Sequence, residues 1–153
     1  MHTYDPQKAA RVWQRVQAGQ EDPKQARLND NLQELIMNEW IAAATYLRLA
    51  RQMQPKQAAV LQRLGTEEHA HAACLKGIYT LITGEKPLVP PPAVSDDPQE
   101  IMLRRCYGRE MRCLSQYESR MGDPQYGHIF RSLARQEQEH CHKILEILGT
   151  LSK

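Results

Sequence analysis

Long apolar runs are missing from this 153-residue chain; none approaches the roughly 20 residues that a membrane span needs. The N-terminal stretch MHTYDPQKAARVWQRVQAGQ has no apolar core, so it does not read as a secretory signal. None of the four cysteines, Cys74, Cys106, Cys113 and Cys141, stands in a Cys-x-x-Cys pair, which excludes the usual zinc-ribbon and thioredoxin readings. Reduced thiols in a cytoplasmic compartment are the expectation. There is no Gly-rich phosphate loop and no Gly-x-Ser-x-Gly elbow. Charge of one sign is not in excess: 20 basic against 18 acidic residues leave +2, so neither nucleic acid nor a membrane is expected as a partner. β signals are scarce as well, with aromatics at 6% and only short Val/Ile runs. The length suffices for one domain with its own core and a short appendage.

What is present is helical periodicity, with apolar residues recurring at three- and four-residue intervals. Asp-Pro occurs at Asp5-Pro6, Asp22-Pro23, Asp97-Pro98 and Asp123-Pro124. Asp is suited to cap a helix and Pro to its first position. Pro55 opens a further helix after a break near Gln54. These signals predict a short helix at about 6–18, carrying Val12, Trp13 and Val16, within an N-terminal extension over residues 1–24. A bundle domain follows over 25–153, with long helices at about 25–53, 56–83, 98–121 and 124–150. Tight links make the first two and the last two antiparallel pairs. The Pro-rich segment from Gly84 to Asp97 is extended, and at about 3.1 Å per residue can run the length of the bundle. Two hairpins joined by one long crossover define an all-α, ferritin-like four-helix bundle with a short extra N-terminal helix.

Two of the apolar stripes are interrupted in the same way. The second long helix runs Leu61, Leu64, then Glu68 and His71, then Leu75, Ile78 and Ile82. The fourth runs Phe130, Leu133, then Glu137 and His140, then Ile144, Ile147 and Leu151, each offset by 69 residues from its counterpart. The first helix places Leu32, Leu35, Glu39, Ala42, Tyr46 and Leu49 on one face. The third places Leu103, Cys106, Glu110, Cys113 and Tyr117 there, offset by 71. The chain is thus an internal duplication of Glu … Glu-x-x-His. About half a Glu-x-x-His pair is expected by chance, and three occur. The third, Glu139 with His142, shares a face with Arg135 and Glu146 and is read as solvated.

Burying a carboxylate costs several kcal/mol unless a cation or strong donors compensate it. Metal ions meet that need. Four carboxylates and two imidazoles suit two ions, and oxygen-rich ligation favours iron or manganese over zinc. One Glu from each of two helices and a Glu-x-x-His from each of the others is the known pattern of di-iron and di-manganese carboxylate bundles. The metal ligands expected are Glu39, Glu68, His71, Glu110, Glu137 and His140.

Over about residues 28–150 the sequence resembles the rubrerythrin branch of the ferritin-like superfamily. The resemblance rests on Glu39-x6-Tyr46, on Gln57-Ala58-Ala59-Val60-Leu61 leading to Glu68-x-x-His71, and on Glu110, Tyr117 and Glu137-x-x-His140. It implies a non-haem di-iron oxidoreductase that reduces hydrogen peroxide or dioxygen. The alternatives are a ferritin-like iron-storage protein with ferroxidase activity and a manganese catalase; a metal-free interaction bundle is a further one. By position, Glu39 and Glu110 resemble bridging carboxylates, Glu68 and Glu137 terminal ones, and His71 and His140 the nitrogen ligands. Two iron ions are the implied cofactor, with manganese as the other ion, and a homodimer is the implied assembly. Typical members append a rubredoxin domain with two Cys-x-x-Cys knuckles, which this sequence lacks. Electrons are therefore expected from an external donor such as a rubredoxin-type protein, or from ferrous iron. Typical members also carry an extra Glu three residues beyond the ligand of the third helix; here that position is Cys113, and its duplicate is Ala42.

Other residues near the stripes have two readings each. Tyr46 and Tyr117 either reach a carboxylate of the facing helix or bond to backbone. Glu67 and Gln136, just ahead of the two Glu-x-x-His motifs, either accept from a metal-bound His or are solvated, and solvation is preferred. The four cysteines are read as packing residues rather than ligands. His2, His69 and His128 are read as surface or terminal residues.

Overall fold

The computed structural model describes residues 6–7 and 23–151, with backbone only over 23–30. The predicted helix over 6–18, with Val12, Trp13 and Val16, lies outside the described residues apart from Pro6 and Gln7, which are helical. Four helices make up the rest: α1 Pro23–Ala50, α2 Pro55–Thr83, α3 Gln99–Ser119 and α4 Gly127–Leu151. α1 packs closely on α2 and α3 on α4, with looser approach of α1 to α3 and α2 to α4. This is an all-α, ferritin-like four-helix bundle.

The helix boundaries follow local chemistry. Gln54 precedes α2 in extended conformation and Pro55 enters its first turn, where a missing N–H costs nothing. Gly84 ends α2 at φ 73°, and its N–H donates to the Thr80 carbonyl at 2.8 Å. Asp123 behaves as its Asp-Pro signal predicts: Oδ1 accepts from the backbone N–H groups of Gln125 and Tyr126 at 2.8 and 2.7 Å. α4 itself begins later than expected, at Gly127, where an added Cβ would lie 2.3 Å from the Met121 carbonyl oxygen. Asp97 does not cap α3. Its carboxylate is taken instead by Ser95 Oγ, at 2.8 Å, and by the Arg105 guanidinium.

The connection between the hairpins spans the bundle, as its composition predicts. Leu88 exchanges backbone hydrogen bonds with the Gln33 amide, ten residues into α1. Further along, Arg48 donates to the Val94 carbonyl at 3.2 Å and pairs with Asp96. Gln99 Nε2 then reaches the Gln52 carbonyl, at 3.2 Å, beyond the other end. Seventeen helical steps from Gln33 to Ala50 cover about 26 Å, two turn residues lead on to Gln52, and an extended segment from Leu88 to Gln99 covers about 34 Å. The lengths therefore match.

Two apolar clusters form the core. One joins Leu32, Leu35 and Ile36 to Leu75, Ile78, Phe130 and Leu133. The other joins Leu49, Leu61 and Leu64 to Leu103, Ile144 and Ile147. Each fully buried side chain of this kind contributes about 1.5–3 kcal/mol. The stripe ends depart from expectation: Ile82 and Leu151 are 39% and 38% exposed. They lie past Ile78 and Ile147, the last buried residues of their helices in the apolar clusters.

Candidate metal centre

Between the two apolar clusters lies a polar layer. It contains Glu39 from α1, Glu68 and His71 from α2, Glu110 from α3, and Glu137 and His140 from α4, all buried. Each is one heptad-like step from leucine, isoleucine or small residues of the same stripe, so ordinary amphipathic packing carries it inward. All six residues expected from sequence are brought together. Glu139 and His142 are exposed, and Glu139 pairs with Arg63 at 3.3 Å. His69 and His128 are exposed, while His2 lies outside the described residues.

Ligand atoms converge in two overlapping groups. Glu39, Glu68, His71 and Glu137 each offer an atom within 4.8 Å of the others, and so do Glu68, Glu110, Glu137 and His140. Both imidazoles turn Nδ1 inward. His71 Nδ1 lies 2.9 Å from Glu137 and 3.5 Å from Glu39; His140 Nδ1 touches Glu68 and lies 3.6 Å from Glu110. The rings are nearly parallel, with centroids 5.6 Å apart. Glu68 and Glu137 are the carboxylates common to both groups, whereas Glu39 and Glu110 each belong to one. The Glu-x-x-His glutamates thus stand centrally and those of α1 and α3 at the sides, a placement different from the one that position implies. Sequence register places residues in a layer but does not say which side chain crosses its middle.

The unsatisfied atoms test whether an ion fits. Among the described residues, seven buried side-chain N or O atoms have no hydrogen-bond partner. Five belong to the centre: Glu39 Oε2, Glu68 Oε1, Glu110 Oε2, Glu137 Oε2 and His140 Nδ1, of which His140 Nδ1 and Glu68 Oε1 touch each other without hydrogen-bond geometry. A protein does not bury such groups together without a cation or protons to compensate them. The donor set, four carboxylates and two imidazoles, fits two ions of the iron or manganese type.

The surroundings also favour protons on several of these groups. Burial, reinforced by the charge of Glu39, raises the Glu110 carboxyl above its ordinary value against the opposing contacts of His140 and Tyr46. Burial lowers the basicity of His71 and His140, but the carboxylates around them, Glu39 and Glu110 first, outweigh it and raise both imidazoles. The three buried thiols stay protonated. Burial pushes Cys106 up to about 12 and Cys141 up to about 11, and raises Cys113 too. None of them enters either ligand group, in keeping with a packing role.

Glu39, Glu110, His71 and His140 also have partners outside the cluster. Tyr46 Oη donates to Glu110 Oε1 at 2.5 Å and Tyr117 Oη to Glu39 Oε1 at 2.6 Å, the cross-bundle alternative for both. Burial, then the neighbouring carboxylates, keep both phenols protonated. Glu67 and Gln136 are not solvated bystanders, contrary to the preferred reading. Gln136 Oε1 faces His71 Nε2, and Glu67 Oε2 lies 2.6 Å from His140 Nε2. Both cross to the opposite helix to reach the outer imidazole nitrogen. The only sequence signal for this was adjacency to the Glu-x-x-His motifs.

The fold and the centre together define a ferritin-like bundle with a buried carboxylate–histidine cluster able to hold metal. The Rubrerythrin family model matches residues 30–148, and the chain belongs to that family. No curated protein and no solved structure matches it. Among the described residues no helix is long and apolar enough to cross a membrane.

Proposed function

We propose that the protein is a non-haem di-iron oxidoreductase that reduces hydrogen peroxide or dioxygen. Electrons come from an external donor, such as a rubredoxin-type protein, or from ferrous iron as substrate. The observation that carries this reading is the convergence of four buried carboxylates and two buried imidazoles, five of whose atoms lack a hydrogen bond, in a layer otherwise enclosed by apolar side chains. Glu39, Glu68, His71, Glu110, Glu137 and His140 hold the ions. Two bound iron ions supply two reducing equivalents and open coordination positions for the oxidant.

The chain's own residues then set the conditions. Tyr46 and Tyr117 each occupy one oxygen of a side carboxylate, which leaves Oε2 of Glu110 and Glu39 aimed inward. Gln136 and Glu67 hold the outer imidazole nitrogens, so that Nδ1 of each ring is the inward donor. Leucine and isoleucine above and below the layer exclude water and keep the electrostatic interactions strong. Reduction of hydrogen peroxide to two waters consumes two electrons and two protons.

The test is rapid mixing of the reduced, iron-loaded protein with hydrogen peroxide or dioxygen, followed by absorption. Oxidation faster than that of free ferrous iron, lost in Glu68→Ala, is expected. Oxidation no faster than free iron overturns the reading. Uptake of many more than two iron ions per chain would favour the storage alternative, and manganese with dioxygen release from peroxide the catalase alternative.

A further inference from the structure

The two halves of the centre are copies that differ at a telling position. Under the 69-residue offset, Glu68 and His71 match Glu137 and His140, but the residue just ahead is Glu67 in α2 and Gln136 in α4. Each faces the outer nitrogen of an imidazole on the opposite helix. Glu67 Oε2 lies 2.6 Å from His140 Nε2, and Gln136 Oε1 stands at His71 Nε2. His140 is thus backed by a carboxylate and His71 by a carboxamide. A carboxylate that accepts the outer N–H polarises the ring and makes the inner nitrogen a stronger donor than an amide oxygen does.

The surroundings do not cancel this difference. Arg63 Nε is 3.9 Å from Glu67 Oε1, but its guanidinium is half-exposed and also reaches Glu139, at 3.3 Å. A countercharge at that distance on a wet rim is largely screened. The inner ligands are otherwise matched: each position has its own Glu, each with a tyrosine on Oε1, and both share Glu68 and Glu137. Cys106 and Cys113 replace Leu35 and Ala42 across the duplication, but enter neither ligand group.

We propose that Glu67 makes the two ion positions unequal, so that the one served by His140 and Glu110 fills before the one served by His71 and Glu39. Glu67 is a positioning residue, acting through His140. The inference rests on the di-metal reading above. Two cations that share Glu68 and Glu137 repel each other, which disfavours the second ion. What Glu67 decides is which position is first. Outer partners of metal-bound histidine are worth about 10- to 100-fold in affinity.

Anomalous scattering from crystals of the full chain, supplied with one equivalent of Co2+, reads the two occupancies directly and without turnover. The His140 position should exceed the His71 position by about tenfold. Glu67→Gln, which is isosteric, should leave the two about equal. The exchanged pair Glu67→Gln/Gln136→Glu should reverse the preference, which a merely structural role would not do. Equal occupancy in the unmodified protein, or the same preference in Glu67→Gln and the exchanged pair, overturns the inference. Cobalt at neither position overturns the di-metal reading and this inference with it.

Discussion

Tyr46 on α1 donates its phenolic hydrogen to Glu110 on α3 at 2.5 Å, and its duplicate Tyr117 on α3 returns the same contact to Glu39 on α1. The two helices that approach each other only loosely are therefore tied through the centre itself. Each tyrosine satisfies the outer oxygen of a carboxylate whose other oxygen faces the cluster. Hydrogen bonds to a charged group are worth about 1.5–3 kcal/mol. Tyr46→Phe and Tyr117→Phe should each destabilise the protein by about that amount, seen in chemical denaturation, and should weaken metal binding. Full stability in both variants would show that the phenols only pack.

The overlap of the two ligand groups predicts unequal effects of the glutamates on metal content. Glu68→Ala and Glu137→Ala remove a ligand from both positions and should abolish binding of the pair. Glu39→Ala and Glu110→Ala each affect one position and should leave about one ion per chain. Glu139→Ala, on the exposed face, should change nothing. Elemental analysis after loading and desalting distinguishes these cases. Loss of one ion in Glu137→Ala with loss of both in Glu39→Ala would restore the bridging roles that sequence position implied.

Stability of the metal-free protein should rise on mild acidification. His71, His140 and Glu110 all bind protons more tightly in the folded state than their ordinary values of 6.5 and 4.5. The folded state then holds more protons than the unfolded one. The histidine contribution is complete below 6.5 and is lost as the pH rises through the raised folded values. That of Glu110 continues to grow toward 4.5. The apo protein should accordingly melt higher at about pH 6 than at about pH 8.5. Metal replaces the protons, so the loaded protein should melt higher at neutral pH and lack this trend. A metal-free protein that gains stability with rising pH would contradict the protonation of the centre.

Cys113 and Ala42, one turn beyond Glu110 and Glu39, are buried and supply no carboxylate. A fifth carboxylate is thus absent from both places, and the six-residue ligand set should stay fixed between oxidation states. Reduced protein is expected to react readily with dioxygen, and Cys113→Glu to shift its preference toward peroxide. Stopped-flow oxidation by each oxidant measures this. Peroxide outcompeting dioxygen by orders of magnitude in the unmodified protein would contradict it.

Much of this was legible in the sequence because buried charge breaks an apolar stripe. Glu68 with His71 and Glu137 with His140 stand where a leucine would be expected, and duplication at 69 and 71 residues exposed the pattern. The crossover was legible from proline and length. Less local features were not. Asp97 looked like a cap until Arg105, eight residues away, claimed its carboxylate. Glu67 and Gln136 resembled solvated helix residues, because their partners lie on another helix at separations of 73 and 65 residues. The central place of Glu68 and Glu137 depends on side-chain reach across the bundle, which periodicity does not encode.

Whether this layer holds two metal ions is read from the iron-to-protein ratio after anaerobic loading with ferrous iron and desalting. About two ions per chain are expected, with near-ultraviolet absorption after air oxidation, and loss of both ions and absorption in Glu68→Ala/Glu137→Ala. Retention of no iron by the folded protein, or the same ratio in the double variant, would contradict this expectation.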